Sequence, residues 1–270
     1  MPYEFIQTRR QGAVEYVTLN RPDVRNAFNE QAIDELTRWA EGVSTETGIR
    51  AVVLAGAGKS FCAGADLNWM ARMAAYTTDE NVRDATRAAA MYAALDRLPV
   101  PLIGRIHGAA IGGGAGLAVV CDIVVAASDT VCGFTEVKVG ILPAVISPYV
   151  LAKLGASATR ELFVTGMRFD AQRAREIGLV HAVAAEADLD ARVAAYVREI
   201  LGAAPGAIAA VKELLRAVHG RAPQDVMGLT AETLARRRAS DEGLEGLRSF
   251  LDKRKPRWHV DLNQPSPDRE

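Results

Sequence analysis

Cysteine is scarce in this chain. Cys62, Cys121 and Cys132 are the only three in 270 residues, an odd number without CxxC spacing. That argues against a disulfide framework and a thiolate zinc site, and it fits a reducing, cytoplasmic setting with no metal. Aromatic residues are few, at 6%. Neither sign of charge is in excess, with 32 Lys+Arg against 33 Asp+Glu and a formal net charge of -1. A nucleic-acid footprint and a polybasic membrane patch are both missing from that balance. Met1-Pro2-Tyr3-Glu4 has neither the basic nor the apolar region of a secretory leader. One nearly uncharged stretch imitates a membrane span. From Gly108 to Ser128 the sole charge is Asp122, but five glycines interrupt the run and it ends on Ile123-Val124-Val125. A loop, a short helix and a buried strand are expected there.

Familiar nucleotide and hydrolase signatures are also missing. Gly58-Lys59-Ser60 resembles the end of a P-loop, yet Val53 stands where the earlier glycine belongs. A dinucleotide fingerprint opened by Gly112 requires a small residue at Leu117. No Gly-x-Ser-x-Gly elbow occurs.

Ordinary globular text remains, 49% hydrophobic and long enough for a sizeable core. Ala13–Leu19 reads as a strand ending at the turn Asn20-Arg21-Pro22, and Ala32, Ile33, Leu36, Ala40 and Val43 follow at helical spacing. Ala51–Leu54 is continuously apolar, which suits a strand buried on both faces. A helix is expected from about Asp79 to Leu98, stopped by Pro99 and Pro101. Strand-like Leu102–Ile106, a glycine loop, a helix through Leu117–Cys121 and strand-like Asp122–Ala127 come next. This β-then-α order argues for a largely parallel sheet flanked by helices. Ala171–Ile177, Asp188–Leu201, Pro205–Val218 and Pro223–Ala239 are all helical in pattern, and the polar, proline-bearing Asn263–Glu270 reads as a frayed tail.

Two glycine-bearing segments each follow an expected strand, Ser60-Phe61-Cys62-Ala63-Gly64-Ala65-Asp66-Leu67 and His107-Gly108-Ala109-Ala110-Ile111-Gly112-Gly113-Gly114. Small residues let backbone approach a ligand, and two such turns on neighbouring parallel strands can aim two N–H groups at one carbonyl oxygen. Read singly, either segment is equally compatible with tight strand–helix packing.

Together with Leu19-Asn20-Arg21-Pro22, Asn26-Ala27, Cys121-Asp122, Phe134-x-Glu136-x-x-x-Gly140-x-x-Pro143, Thr165-Gly166, Ala174-x-x-x-Gly178-Leu179-Val180 and Phe250-Leu251-Asp252-Lys253-Arg254, these segments resemble the crotonase (enoyl-CoA hydratase/isomerase) superfamily over about residues 3–258. The resemblance implies an α/β crotonase fold. A parallel, superhelical ββα core would occupy residues 1–200, an oligomerising helical region covering the CoA site 201–260, and a flexible tail 261–270. It further implies homotrimers or dimers of trimers, an acyl-CoA thioester substrate, and no separate cofactor, since CoA arrives with the substrate. The oxyanion amides would be those of Ala63 and Gly113, and Glu136 would be the acid/base. CoA would contact Arg25, Ala27, Ala63, Gly64, Ala65, Asp66, Leu67, Gly113 and Lys253, and the acyl pocket would draw on Trp69, Met70, Gly116 and Tyr149. The apolar surroundings of Glu136 in sequence should desolvate it and raise its pKa.

The chain departs from the family pattern at one place. Hydratases of the family carry a first glutamate twenty residues before the second, and that position is Gly116. Single-glutamate members include Δ3,Δ2-enoyl-CoA isomerases. The run from Gly112 to Leu117, the run from Glu136 to Val150, Asp66-Leu67-Asn68-Trp69-Met70 and Lys255-Pro256-x-Trp258 resemble instead the bacterial methylglutaconyl-CoA hydratase group. This implies hydration of 3-methylglutaconyl-CoA, in leucine breakdown, with Gly116 opening space for a branched dicarboxylic acyl group and Glu136 handling both protons. The rival readings are an isomerase and a non-catalytic CoA-ester or RNA-binding homologue. Ser147 and Tyr149 are near enough in sequence to hold a water. His107 and His181 are expected to be structural, and Arg236-Arg237-Arg238 a solvated helix face.

Overall fold

The computed structural model describes residues 3–262, so the expected frayed segment Asn263–Glu270 lies outside the described residues. An antiparallel hairpin opens the chain, β1 (Ile6–Gln11) against β2 (Val14–Leu19). Strand β1 buries only Ile6, so its text shows no alternation and gives no strand signal. Helix α1 (Glu30–Thr45) is capped by Asn29, whose side chain accepts from the Ala32 amide at 3.1 Å, and it buries the apolar stripe read from its spacing. On the same helix the buried Glu35 carboxylate accepts the amides of Glu4, Phe5 and Ile6, pinning the start of β1.

Strand β3 (Ala51–Gly56) alternates between two cores, Val52 and Leu54 in one and Ala51 and Val53 in the other, as continuous apolarity requires. Helices α2 (Leu67–Met73) and α3 (Thr78–Asp96) follow. Thr77 and Glu80 form a reciprocal capping box that starts α3. Then come β4 (Leu102–Ile106), β5 (Ala109–Ile111), α4 (Gly113–Val119), β6 (Ile123–Ala127) and β7 (Val131–Gly133). Helix α4 begins at Gly113 rather than near Leu117. Its first residues are glycines because the helix start is pressed against the Cys62 backbone, where a Cβ on Gly114 would lie 2.3 Å from the Cys62 oxygen.

Helix α5 (Ser147–Thr165) lies where the text turns helical beyond about Pro148, though its spacing marks no bounded helix. It is broken at Gly155, which resets the helical period and blurs the apolar stripe. Strand β8 (Arg168–Asp170), α6 (Ala171–Glu176), β9 (Ala182–Ala184), α7 (Leu189–Gly202), α8 (Pro205–Val218), α9 (Pro223–Ala239) and α10 (Asp241–Leu251) complete the order. Among the described residues no single helix is long and apolar enough to cross a membrane.

The larger sheet runs β1-β2-β3-β4-β6-β9, parallel from β2 onward, and a smaller one runs β5-β7-β8. Because β3 and β4 are parallel neighbours, with Val53 opposite Ile103, their following loops emerge at the same sheet edge. Those loops are stitched together. Phe61 donates to the His107 carbonyl at 2.8 Å, Cys62 to Ala109 at 2.9 Å, and Ile111 to Cys62 at 3.0 Å. The sequence expectation of two adjoining glycine turns is met, and Cys62 bridges to Ala110 at the edge of the smaller sheet.

Candidate active site

Three backbone strips converge at that edge. Buried Asn26 anchors the first, its side-chain amide donating to the Ala57 and Ser60 carbonyls at 2.8 Å each. Arg25 and Asn26 are both left-handed, with φ of 54° and 55°. In this loop the Arg25 carbonyl accepts the Ala63 amide at 3.0 Å. The Ala63 N–H is therefore occupied and is not an oxyanion donor, which corrects the sequence expectation. Gly64 follows at φ 96°, a conformation open to glycine, and a side chain here would lie 2.8 Å from the Ile111 oxygen. Phe28 then donates to Gly64 and Asp66 to Phe28, at 2.9 and 3.0 Å. In that parallel bridge the intervening Ala65 amide points to the opposite side.

Gly113 opens α4, where an N–H has no acceptor within its own helix. A Cβ at Gly64 would lie 3.8 Å from the Gly113 nitrogen, so the Gly64–Ala65 peptide runs beside it. Among the described residues neither the Ala65 nor the Gly113 amide donates to a protein acceptor. Two open N–H groups thus lie side by side at this edge.

Glu136 reaches the same place from β7. The Gly112 amide donates to the Gly133 carbonyl at 2.7 Å, which draws the segment after β7 against the glycine run. The Glu136 carboxylate then packs on Gly112, with Oε1 3.3 Å from where a Cβ would stand and φ at 54°. Its Oε2 is buried with no hydrogen-bond partner among the described residues. Burial pushes this carboxyl above the ordinary glutamate range, which a hydrogen bond from its own backbone only partly offsets. The apolar residues at 139 and 142 face outward. Val139 is 61% exposed and Leu142 69%, whereas the carboxylate rests against Gly112.

Gly116 opens no space, contrary to the sequence expectation. A Cβ there would meet Ile146 Cγ2 at 2.5 Å and the Tyr92 ring at 3.1 and 3.2 Å. The volume left by a missing side chain is filled by a tyrosine from α3 and an isoleucine from the turn before α5. We expect Gly116→Glu to lower Tm by roughly 3–10 °C through overpacking, without a gain in turnover. A thermal melt and a rate assay check this, and a stable, faster variant would show that the Tyr92–Ile146 wall yields.

The other candidates divide. Arg25 is exposed, Ala27 buried, and Leu67 80% exposed beside the strip. Asp66 turns its side chain inward, accepting the Asn68 and Trp69 amides at 2.8 and 3.1 Å as the cap of α2, and pairing with Arg21 at 2.9 Å. Burial alone would raise its pKa, but those hydrogen bonds bring it below the ordinary range. Only its backbone belongs to the strip. Trp69 is a core residue, packed on Phe28 with centroids 6.2 Å apart. Met70, on the same helix, is half-buried. Tyr149 is also half-buried, its ring 6.4 Å from Tyr92, and it faces a separate hollow of about 380 Å³ with Asp96, Lys153 and Lys212. Lys253 is exposed after α10, which packs on α9, and no side-chain hydrogen bond or ion pair joins it to the other candidates.

His107 Nε2 bonds the Gly58 carbonyl at 2.8 Å and His181 Nδ1 accepts the Val124 amide at 3.0 Å, both structural as expected. The Ser147 hydroxyl donates to the Ala144 carbonyl at 2.7 Å. No group of three or more His, Cys, Asp or Glu that could hold a metal occurs among the described residues. Tyr92 and Ile146 escaped the sequence reading because both sit among ordinary core residues, with nothing local to distinguish them.

The enoyl-CoA hydratase/isomerase family profile matches residues 9–261. The 2,3-dehydroadipyl-CoA hydratase of Escherichia coli is 32% identical over 249 residues, 92% of this chain and 95% of that protein. Crystal structures of an enoyl-CoA hydratase from Shewanella pealeana and of one from Mycobacterium smegmatis superpose with TM-scores of 0.92 and 0.90 at 38% and 31% identity. Each superposition covers 95% of this chain, with 96% and 100% of the respective neighbour. With its strips of glycine backbone and its half-buried glutamate, this chain is a crotonase-fold enzyme and belongs to the enoyl-CoA hydratase/isomerase family.

Proposed function

We propose that the enzyme adds water reversibly across the double bond of a 2-enoyl-CoA, with 3-methylglutaconyl-CoA as its substrate. The observation that carries this reading is the buried, unpartnered Oε2 of Glu136, set on the glycine strip next to the open Gly113 amide. The thioester oxygen sits between the Ala65 and Gly113 N–H groups. Glu136 takes a proton from water, whose oxygen bonds to the β-carbon while the π electrons pass through the α-carbon to the thioester oxygen. The protonated carboxyl then returns the proton to the α-carbon, so H and OH are added and nothing else changes. One oxyanion donor typically contributes about 3–4 kcal/mol in the transition state. With a tyrosine and an isoleucine around Gly116, a single carboxyl serves both transfers, and addition occurs on one face.

The acyl assignment rests on the resemblance of the Gly112–Leu117 and Glu136–Val150 runs, and the Escherichia coli relative is named for a dicarboxylic acyl group as well. The same neutral wall favours a second reading, double-bond isomerisation, in which one carboxyl moves a proton between two carbons. Turnover of 3-methylglutaconyl-, 2,3-dehydroadipyl- and crotonyl-CoA in ¹⁸O-water separates the readings. We expect label in the product and the highest kcat/KM with 3-methylglutaconyl-CoA. A preference for crotonyl-CoA overturns the substrate, and a rearranged product without label overturns hydration. CoA lies in this reading along the Arg25–Ala27 loop and the 63–67 strip. The exposed apolar side chains Val139, Ile141, Leu142 and Val164 suit burial in a homotrimer, which mass measurement in solution tests.

A further inference from the structure

We infer that Tyr92 is a positioning residue for the oxyanion site, its hydroxyl holding the Gly113 carbonyl so that the adjoining amide keeps its aim. Three consecutive glycines, 112 to 114, have less intrinsic conformational preference than any other tripeptide. Backbone bonds secure Gly112 on both sides, its amide donating to Gly133 at 2.7 Å and its carbonyl accepting from Gly116 at 3.1 Å. The Gly113 carbonyl, in the first turn of α4, has a further anchor from outside that helix. The Tyr92 hydroxyl, carried by α3, donates to its carbonyl at 2.8 Å. The same ring lies across Gly116 and reaches Gly113, where a Cβ would stand 2.9 Å from the hydroxyl oxygen and 2.4 Å from Phe28 Cζ. Tyr92 is completely buried, so water does not compete for the Gly113 carbonyl on that side.

The phenol has to keep its proton to act in this way. Burial, then the neighbouring Cys62 and Glu136, push its pKa well above the ordinary tyrosine value, so it remains a donor throughout any working pH range. Tyr92 touches neither substrate nor water in this scheme. It acts through Gly113, by removing the rotations that would turn the amide off the thioester oxygen.

The inference rests on the oxyanion reading above, and the experiment separates the two. Tyr92→Phe keeps the ring and removes only the donor. With an enoyl-CoA that the wild type hydrates, we expect kcat to fall about tenfold, with KM within twofold and an unshifted pH profile. Cinnamoyl-CoA, whose conjugated absorbance shifts red when its carbonyl is polarised, reads the site without turnover. Its shift should be smaller in Tyr92→Phe than in wild type. Incorporation of p-aminophenylalanine at 92, which keeps a donor at the ring's far end, should restore both readouts, and it serves alone should Tyr92→Phe fail to fold. An unchanged kcat and red shift in Tyr92→Phe overturns the inference, as does a moved pH profile, which would place the effect on Glu136. A folded p-aminophenylalanine variant without the red shift overturns it too. A wild type with neither turnover nor red shift overturns the oxyanion reading itself.

Discussion

Glu136→Gln should abolish turnover while leaving CoA-ester binding intact, because the amide matches the carboxylate in shape but takes no proton. A positioned acid/base contributes about 10²–10⁴ in rate, and no second carboxyl stands at Gly116 to replace it. Steady-state kinetics with an equilibrium binding measurement would check both halves, and retained activity would show that another group is the base. Burial raises the pKa of Glu136 from its ordinary 4.5. The acid limb of hydration should therefore fall above the ordinary glutamate range, since water is activated only by the ionised form.

Stability should move the other way. A carboxyl whose folded pKa is raised binds its proton more tightly folded than unfolded, so its ionised form opposes folding. That penalty is fully present above the raised pKa and disappears as pH falls through the ordinary value. Glu136→Gln should hence be no less stable than the wild type at neutral pH, and any advantage should vanish on acidification. Thermal melts across pH measure this directly, and a variant that melts much lower at neutral pH would show that the carboxylate has a partner it is not seen to have.

Gly114→Ala should be damaging for a purely steric reason. A Cβ here would lie 2.3 Å from the Cys62 oxygen and 2.9 Å from its carbonyl carbon, both backbone atoms with no rotamer to change. To accept one methyl group, α4 has to move off the segment that carries Ala65. Overpacking of this kind costs about 1–3 kcal/mol, or roughly 3–10 °C in a chain of this size. The same movement pulls the Gly113 amide away from the Ala65 amide, so we expect kcat to fall about 10²-fold, as for the loss of an oxyanion donor. Gly228→Ala is the control. That glycine lies within α9 with nothing within 4 Å, and the change should leave activity alone and slightly raise Tm. Equal effects of the two substitutions would mean that the strand–helix contact at Cys62 has no bearing on the site.

Much of this site could be read from the linear text. Continuous apolarity at Ala51–Leu54 announced a strand buried on both faces, and β3 contributes to both cores. Two strand-then-glycine segments announced adjoining turns, and parallel pairing of β3 with β4 places them at one edge. The ordered run of motifs announced the family that the comparisons bear out. These features are local or periodic, so one pass along the chain contains them. Strand β1 did not announce itself, because it buries a single side chain, and the bounds of α5 did not, because Gly155 interrupts its period.

What no local pattern contained was direction and occupancy. The resemblance pointed to the Ala63 amide, whereas the structure leaves that of Ala65 open. That change came from the Arg25 carbonyl, turned onto the Ala63 amide in a left-handed loop, and from φ 96° at Gly64. Gly116 looks like an empty place in sequence, but Tyr92 and Ile146, distant along the chain, fill it. Residue types and their spacing were enough for a parallel sheet flanked by helices, and the family resemblance named the fold and its acid/base candidate. Which amide is free, and what stands opposite that acid, are set by long-range packing, because a hydrogen bond or a filled volume belongs to two segments at once.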